Sequence, residues 1–519
     1  MKKLSVAAII AVLFISGCTT QAKPAGTFRV AVPASPPAID PANAIETIGI
    51  DIAHQLFDGL VKYNPKTLAV EPAVAKSWKV GKQAKEFTFF LRKGTKFHNG
   101  EEVSAYSFKK AWDYVANPKN KSQAAYYLEP VLGYEEVLGK QAKELKGVKA
   151  LDKYTLKITL SRPFADFMVT LPAPVFSPLP QAAFADKQFA KHPIGNGPFS
   201  FVSWKRNKEI TLQRFASYYG QKARVKKAVY KIFTTDVAAL REYKAGSVDA
   251  TPIPESQVST LKGDKNMAKN IKKADLLSIY AYAFNVKQKP WDNKKLRLAV
   301  AHSIYSKLLL KKAVPNATMA RSFTAAAVPG NSTAIFELKF SLAKARKLIK
   351  EAGYESASAV GPVTITYPNA GESNSRIAQV VQNQLEKVGF DVRIEGMEFG
   401  SFIDKMMTGE LGLFPVSWVG EPSFNAFLEQ NFTTKSIGIN NVVYYSNKKA
   451  DALIEKAQST LNEGKRIKLF RQAEKKILDD VPVIPLYHAT AYDLVKPQVK
   501  NFQRTALDYL VLDEIEVKK

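Results

Sequence analysis

Cysteine occurs once in 519 residues, at position 18. No disulfide can close within the chain, and no cysteine-based metal cluster can form. The fold must therefore rest on its hydrophobic core. Hydrophobic residues make up 46% of the sequence. That is enough to build two or three domains.

The surroundings of Cys18 say more. Met1-Lys2-Lys3 precedes an apolar run from Leu4 to Ile15, which ends in Ser16-Gly17-Cys18. Positive charge, a short apolar core and small residues make a secretory signal. The run is too short to span a bilayer, which takes about 20 apolar residues. The small-small-Cys ending resembles a bacterial lipoprotein cleavage site. On that reading residues 1–17 are a signal peptide. Cys18 is then the first mature residue and carries lipid, palmitate included, on sulfur and nitrogen. Residues 18–26, polar and small, form a flexible tether. Two or more acyl chains give stable anchoring. The alternative is a leftover thiol behind an ordinary secretory signal. No later stretch reaches 18 apolar residues, so the mature chain is not expected to cross the membrane.

The net charge is +28, and loss of Lys2 and Lys3 with the signal leaves +26. Such a balance suits nucleic acid or an anionic surface. Here the lysines are spread along the whole chain, and export argues against nucleic acid. Anionic lipid, cell-wall polymer or simple solvation remain.

Periodicity orders the elements. Alternating, β-branched Thr27–Val32 predicts a first strand, and further strands are expected at 86–92, 154–160, 199–204, 209–214, 278–285 and 363–367. Ser104 is placed to cap a helix reaching about Val115. Helical spacing is read over 51–63, 236–245, a long 293–312, 341–352, 375–388, 449–461 and 464–478. Gly195 to Pro198 is expected as a tight turn. Strand-helix-strand order near 363–394 points to an α/β lobe.

The parts of an enzyme are missing. The sequence has no G-x-S-x-G elbow, no H-E-x-x-H and no Walker loop. His54, His98, His192, His302 and His488 are scattered, so no helix-borne zinc pair forms. Neither catalysis, a metal nor a cofactor is expected.

Several segments occur in an order that resembles the extracellular solute-binding proteins of peptide and oligopeptide ABC importers. They begin with Ala75-Lys-Ser-Trp78, Phe87-Thr-Phe-Phe-Leu-Arg92 and Phe97-His-Asn-Gly-Glu101, and continue through Val103–Phe108 to Trp112. Arg162–Phe167 and Pro193-Ile-Gly-Asn-Gly-Pro-Phe199 follow. Then come Phe284-Asn285 with Pro290-Trp-Asp292, Leu296–Val300, Ala343–Tyr354 and Val481–Tyr487. Together they span residues 27 to about 500. At Tyr106-Ser107 the chain departs from a family aspartate.

The resemblance implies a two-lobed α/β clamshell like the periplasmic binding proteins, with an extra subdomain in the first lobe. By order, lobe one is 27–285 with the extra subdomain at about 65–190, lobe two is 286–490, and 491–519 returns to lobe one. Tyr280–Asn285 and the stretch 487–494 would be the crossings. The implied function is a lipid-anchored receptor on the outer face of the cell membrane. It would act as a monomer, capturing peptides and passing them to a permease and its ATPase. The alternatives are a same-fold receptor for a metal chelate, heme, sugar oligomer or opine, and a peptide-sensing or chaperone lipoprotein.

A receptor for varied peptides must hold what all peptides share, which is backbone groups and charged ends. Family positions that pair with peptide backbone match Ala34, Ser35 and Pro36, and Ser417, Trp418, Val419 and Gly420. The family aspartate that holds the peptide ammonium is missing, because the chain after Trp418 is about three residues shorter. Glu421 either replaces it or is a plain loop residue. Trp418 lines the cleft or sits in the core, and the same choice holds for Tyr126 and Tyr127. Asn369, with Ser373 and Asn374, falls where the ligand's far end is expected.

Overall fold

Alternation and β-branching carry Thr27–Val32 into a buried strand, and a seven-stranded sheet is built around it. The spatial order is Ile271–Asp275, Thr490–Val495, Ala250–Pro252, Thr27–Val32, Lys227–Ile232, Glu209–Arg214 and Phe199–Lys205. The computed structural model describes residues 26–186, 188–233, 235–331, 339–369 and 373–518. Cys18 and the expected signal and tether up to residue 25 lie outside them.

A second, six-stranded sheet runs Thr318–Met319, Val483–His488, Ser278–Phe284, Leu413–Val419, Val363–Pro368 and Val392–Met397. Its central strand Ser278–Phe284 is buried at all seven positions. Fully apolar strands belong in such central places, covered on both faces. A four-stranded antiparallel sheet, Ala75–Val80, Glu86–Leu91, Thr155–Thr159 and Val148–Asp152, stands apart from both. The helix Ala105–Ala116 packs beside it, and Ser104 and Ser107 close a reciprocal cap at its start.

The chain crosses between the large sheets twice. The strand Ile271–Asp275 passes through Leu276 and Leu277 into Ser278–Phe284, and Val483–His488 returns through Ala489 alone. The first crossing thus precedes Tyr280–Asn285, which the sequence reading kept in the first lobe. Tyr280, Tyr282 and Phe284 pack with the second sheet's core and could not serve as a connection. The crossings are tied together: Leu276 N–H donates to Ala489 O at 3.0 Å, and His488 Nδ1 lies 2.8 Å from Ser278 O.

Two expected helices are corrected. The 51–63 helix is Thr47–Leu56, followed by a strand Val61–Tyr63 paired with Val70–Pro72. Glu46 starts it early, accepting the N–H groups of Ile48 and Gly49. The long 293–312 helix divides into Lys294–Ser303 and Ser306–Ala313. Gln384 causes the division: its Oε1 accepts the Tyr305 N–H at 3.0 Å. Gly195 and Gly197 also do something other than turn. A Cβ at Gly195 would come within 1.9 Å of Leu56 O, so close backbone approach requires glycine there.

Within the second lobe, Glu474 is fully buried on the helix Glu463–Asp480 and accepts the Thr324 N–H at 2.7 Å. Burial, opposed by bonds from Thr324, raises its carboxyl to about 7. The folded value lies above the unfolded one. Stability is therefore greatest below the ordinary carboxylate range and falls as pH rises to about 7. Glu474→Gln should remove that loss. Its melting temperature should exceed the parent's at pH 8 but not at pH 4.5, with an upper bound on the order of 3 kcal/mol. Calorimetry at both pH values checks this, and an equal shift at both would contradict it.

Candidate ligand cleft between the lobes

In the first sheet Thr27–Val32 runs parallel to Lys227–Ile232 and to Ala250–Pro252. In the second, Val363–Pro368 runs parallel to Val392–Met397 and to Leu413–Val419. The crossings join the carboxyl ends of both sets: Ser278 pairs with Val419, Pro252 with Asp493, and Asp275 with Thr490. The two sheets thus face one another through the ends where open α/β sheets bind ligands.

A cavity of about 700 Å³ opens there. Val32, Pro33 and Ile253 line it from the first lobe, Val314, Asn316 and Tyr487 from the second, and Ala489 from the crossing. Its floor is charged but internally satisfied. Arg504 donates to both oxygens of Asp493 at 2.7 and 2.8 Å and to Asp508 at 3.0 Å. Asp51 accepts the Leu510 N–H at 3.0 Å and Gln55 Nε2 at 3.1 Å. Burial raises Asp51 to about 7. These groups hold the returning C-terminal segment in place.

A second interlobe cavity, of about 220 Å³, contains Glu421. Tyr126, Tyr127, Arg162 and Phe164 wall it from the first lobe, and Trp418, Val419, Asn425 and Glu429 from the second. The lobes touch directly around it. Ala165 N–H donates to Gln458 O at 2.7 Å, and Arg466 pairs with buried Asp166 at 2.8 Å. Arg162 lies 3.6 Å from Glu429. Burial raises the Glu421 carboxyl above the usual range, and the Tyr127 hydroxyl opposes the shift. Glu421 in turn pushes Tyr127 well above the ordinary phenol value. The Tyr126 and Tyr127 rings stack at 4.6 Å. The site is a carboxylate in an aromatic enclosure, suited to a cationic group that restores its charge.

The structure gathers Tyr126, Trp418, Val419 and Glu421 in one place. Trp418 Nε1 donates to Ala426 O at 3.0 Å, fixing the indole as the wall between this cavity and a neighbouring pocket that Ser417 also lines. Gly420 donates its N–H to Leu277 O at 3.3 Å, beside the crossing. Ala34, Ser35 and Pro36 follow Pro33 at the edge of the large cavity and are not among its lining. Ser35 Oγ accepts Trp204 Nε1 at 3.4 Å. Asn369 stands apart from all three: it is exposed and extends the sheet by donating its N–H to Met397 O at 2.7 Å. Asn374 reaches the neighbouring pocket instead. Sequence reasoning did not place Arg162 and Glu429 at the site: Arg162 was read only as part of a family-like segment that ends a strand, and Glu429 was not singled out.

Residues 69–441 match the model of the bacterial extracellular solute-binding proteins, family 5. The chain belongs to that family. Members are extracytoplasmic receptors of ABC importers, and this chain is a binding subunit rather than an enzyme. It is 28% identical over 491 residues to the oligopeptide-binding protein OppA of Bacillus subtilis, covering 89% of this chain and 88% of OppA. It is 27% identical over 515 residues to the probable deoxycholate-binding periplasmic protein YgiS of Escherichia coli, covering 96% and 95%. The unliganded open form of the murein tripeptide-binding protein MppA superposes with a TM-score of 0.82 at 26% identity, covering 95% and 97%. The two-lobed solute-binding fold follows from this match. No helix among the described residues is long and apolar enough to cross a membrane.

Tyr127→Phe removes the hydroxyl that lowers the Glu421 carboxyl, so that carboxyl should titrate at still higher pH. Trp418, lining the same cavity, reports the titration by fluorescence. The midpoint should move up in the variant, and an unchanged midpoint would separate Tyr127 from Glu421.

Proposed function

We propose that this family 5 receptor captures peptides between its lobes. It would be held on the outer face of the cell membrane by lipid at Cys18 and would deliver its ligand to a permease with its ATPase. The observation that carries the peptide reading is the strand Leu413–Val419. One edge is fully paired with Ser278–Phe284, while among the described residues the other is paired only at Leu413. The rest of that edge, where Pro415–Trp418 line a pocket beside the Glu421 cavity, would accept an extended chain as an added strand. Glu421 lies two residues past its end, where a peptide ammonium would meet a buried carboxylate whose desolvation the Tyr127 hydroxyl offsets only in part.

The lobes would close about Leu276–Leu277 and Ala489, with the extra subdomain carried on the first lobe. The relatives' names agree with peptide as solute, since OppA is named for oligopeptides and MppA for a murein tripeptide. The second reading is a non-peptide solute on the same fold, favoured by the likeness to the deoxycholate-named YgiS.

Native mass spectrometry of the purified protein should find a ladder of co-purified peptide masses. A single non-peptide mass would favour the second reading. Glu421→Gln should weaken free-amine peptides about tenfold more than their acetylated forms, as loss of a charged hydrogen bond does. Equal losses would remove Glu421 from the ammonium site. Cys18→Ala should shift the protein from the membrane fraction to the soluble exported fraction. Retention on the membrane would refute the anchor.

A further inference from the structure

The neighbouring pocket on the far side of Trp418 is unlike the rest of the molecule. Its volume is about 400 Å³. The helix Phe399–Met407 supplies one wall with Phe399, Phe402, Ile403, Met406 and Met407, and Val416 faces them from the unpaired strand edge. Among the described residues, none lining it is charged, in a chain where 24% of residues are.

Its side-chain N–H donors and the Tyr280 hydroxyl are already engaged. Tyr280 OH donates to Asn374 Oδ1 at 2.9 Å, and Asn374 Nδ2 to Pro368 O at 3.3 Å. Asn431 Nδ2 donates to Phe427 O at 3.0 Å, and Asn440 Nδ2 to Gln430 Oε1 at 3.2 Å. Trp418 Nε1 is held by Ala426 O. A polar guest would lose its water and find these groups committed elsewhere. An apolar guest meets none of that cost. Phe399 at the rim is 54% exposed, so the pocket's own aromatic surface is left open to solvent.

The pocket is continuous with the cleft. Pro415, Val416, Ser417 and Trp418 line it, and these residues belong to the strand segment with the free edge. Trp418 and the end of that strand also wall the Glu421 cavity. A chain added to the edge places alternate side chains on the same face, at about 3.3 Å per residue. With its ammonium at Glu421, a side chain a few residues along falls over this pocket. An aromatic ring fits easily, since an apolar cavity of about 150 Å³ already takes benzene.

Resting on the peptide reading, we infer that the receptor selects peptides carrying a large uncharged apolar side chain, aromatic or branched aliphatic, near the amino end. The pocket between the helix Phe399–Met407 and the strand Leu413–Val419 receives that side chain. Specificity then comes from this pocket, while backbone and ammonium contacts serve all sequences.

The test is a calorimetric scan of the purified protein with penta-alanine and its variants carrying Phe, Leu, Lys or Asp at positions two to five. Phe or Leu at one position should tighten binding about tenfold to a hundredfold over alanine, and Lys or Asp there should not. Combined Phe399→Ala and Met406→Ala should bring the ratio of Phe-peptide to penta-alanine affinity towards one. Penta-alanine binding without any apolar preference would overturn the inference and leave the peptide reading standing. So would a preference unchanged in the double variant. Failure of every peptide, with binding of deoxycholate instead, would overturn both.

Discussion

Two very short crossings govern the rest of the molecule. Leu276–Leu277 and Ala489 leave no slack between the sheets, so the strands on either side must meet end to end. A backbone bond from Leu276 to Ala489, the His488 ring against Ser278 O, and the Ala489 N–H donated to Ser278 Oγ hold them as a pair. The facing ends are carboxyl ends in both lobes because Ser278–Phe284 and Thr490–Val495 run antiparallel to their sheets' parallel members. The cleft is thus a consequence of connectivity, and the residues lining it are whatever follows each strand's last position.

That position explains the site's electrostatics. Glu421 sits just past Val419, half-buried among aromatic rings rather than in solvent. Its desolvation is only partly offset by Tyr127. By contrast Asp493 and Asp508, beneath the larger cavity, both bond the Arg504 guanidinium.

Much of this was legible from residues in order. Thr27–Val32 and Glu209–Arg214 were readable because alternation and β-branching are local. So was the cap at Ser104. The break at Tyr305 was not, because it is made by Gln384, nearly 80 positions away, and leaves no Pro or Gly in the sequence. The placement of Ser278–Phe284 failed for a similar reason: a fully apolar strand fits a central position in either sheet. In the site, Trp418 and Glu421 were findable only through the resemblance of their segment to the family's. The apolar wall at Phe399–Met407 was not, since a helix with one apolar face ordinarily means core packing.

The first strand has a mechanical corollary. Val32 lies at its cleft end, so Gly26 emerges at the opposite pole of the first lobe. A leash joined to the chain there loads that lobe alone. Under the proposed anchor, the half bearing Trp418 and Glu421 would be joined to the mooring only through Leu276–Leu277 and Ala489.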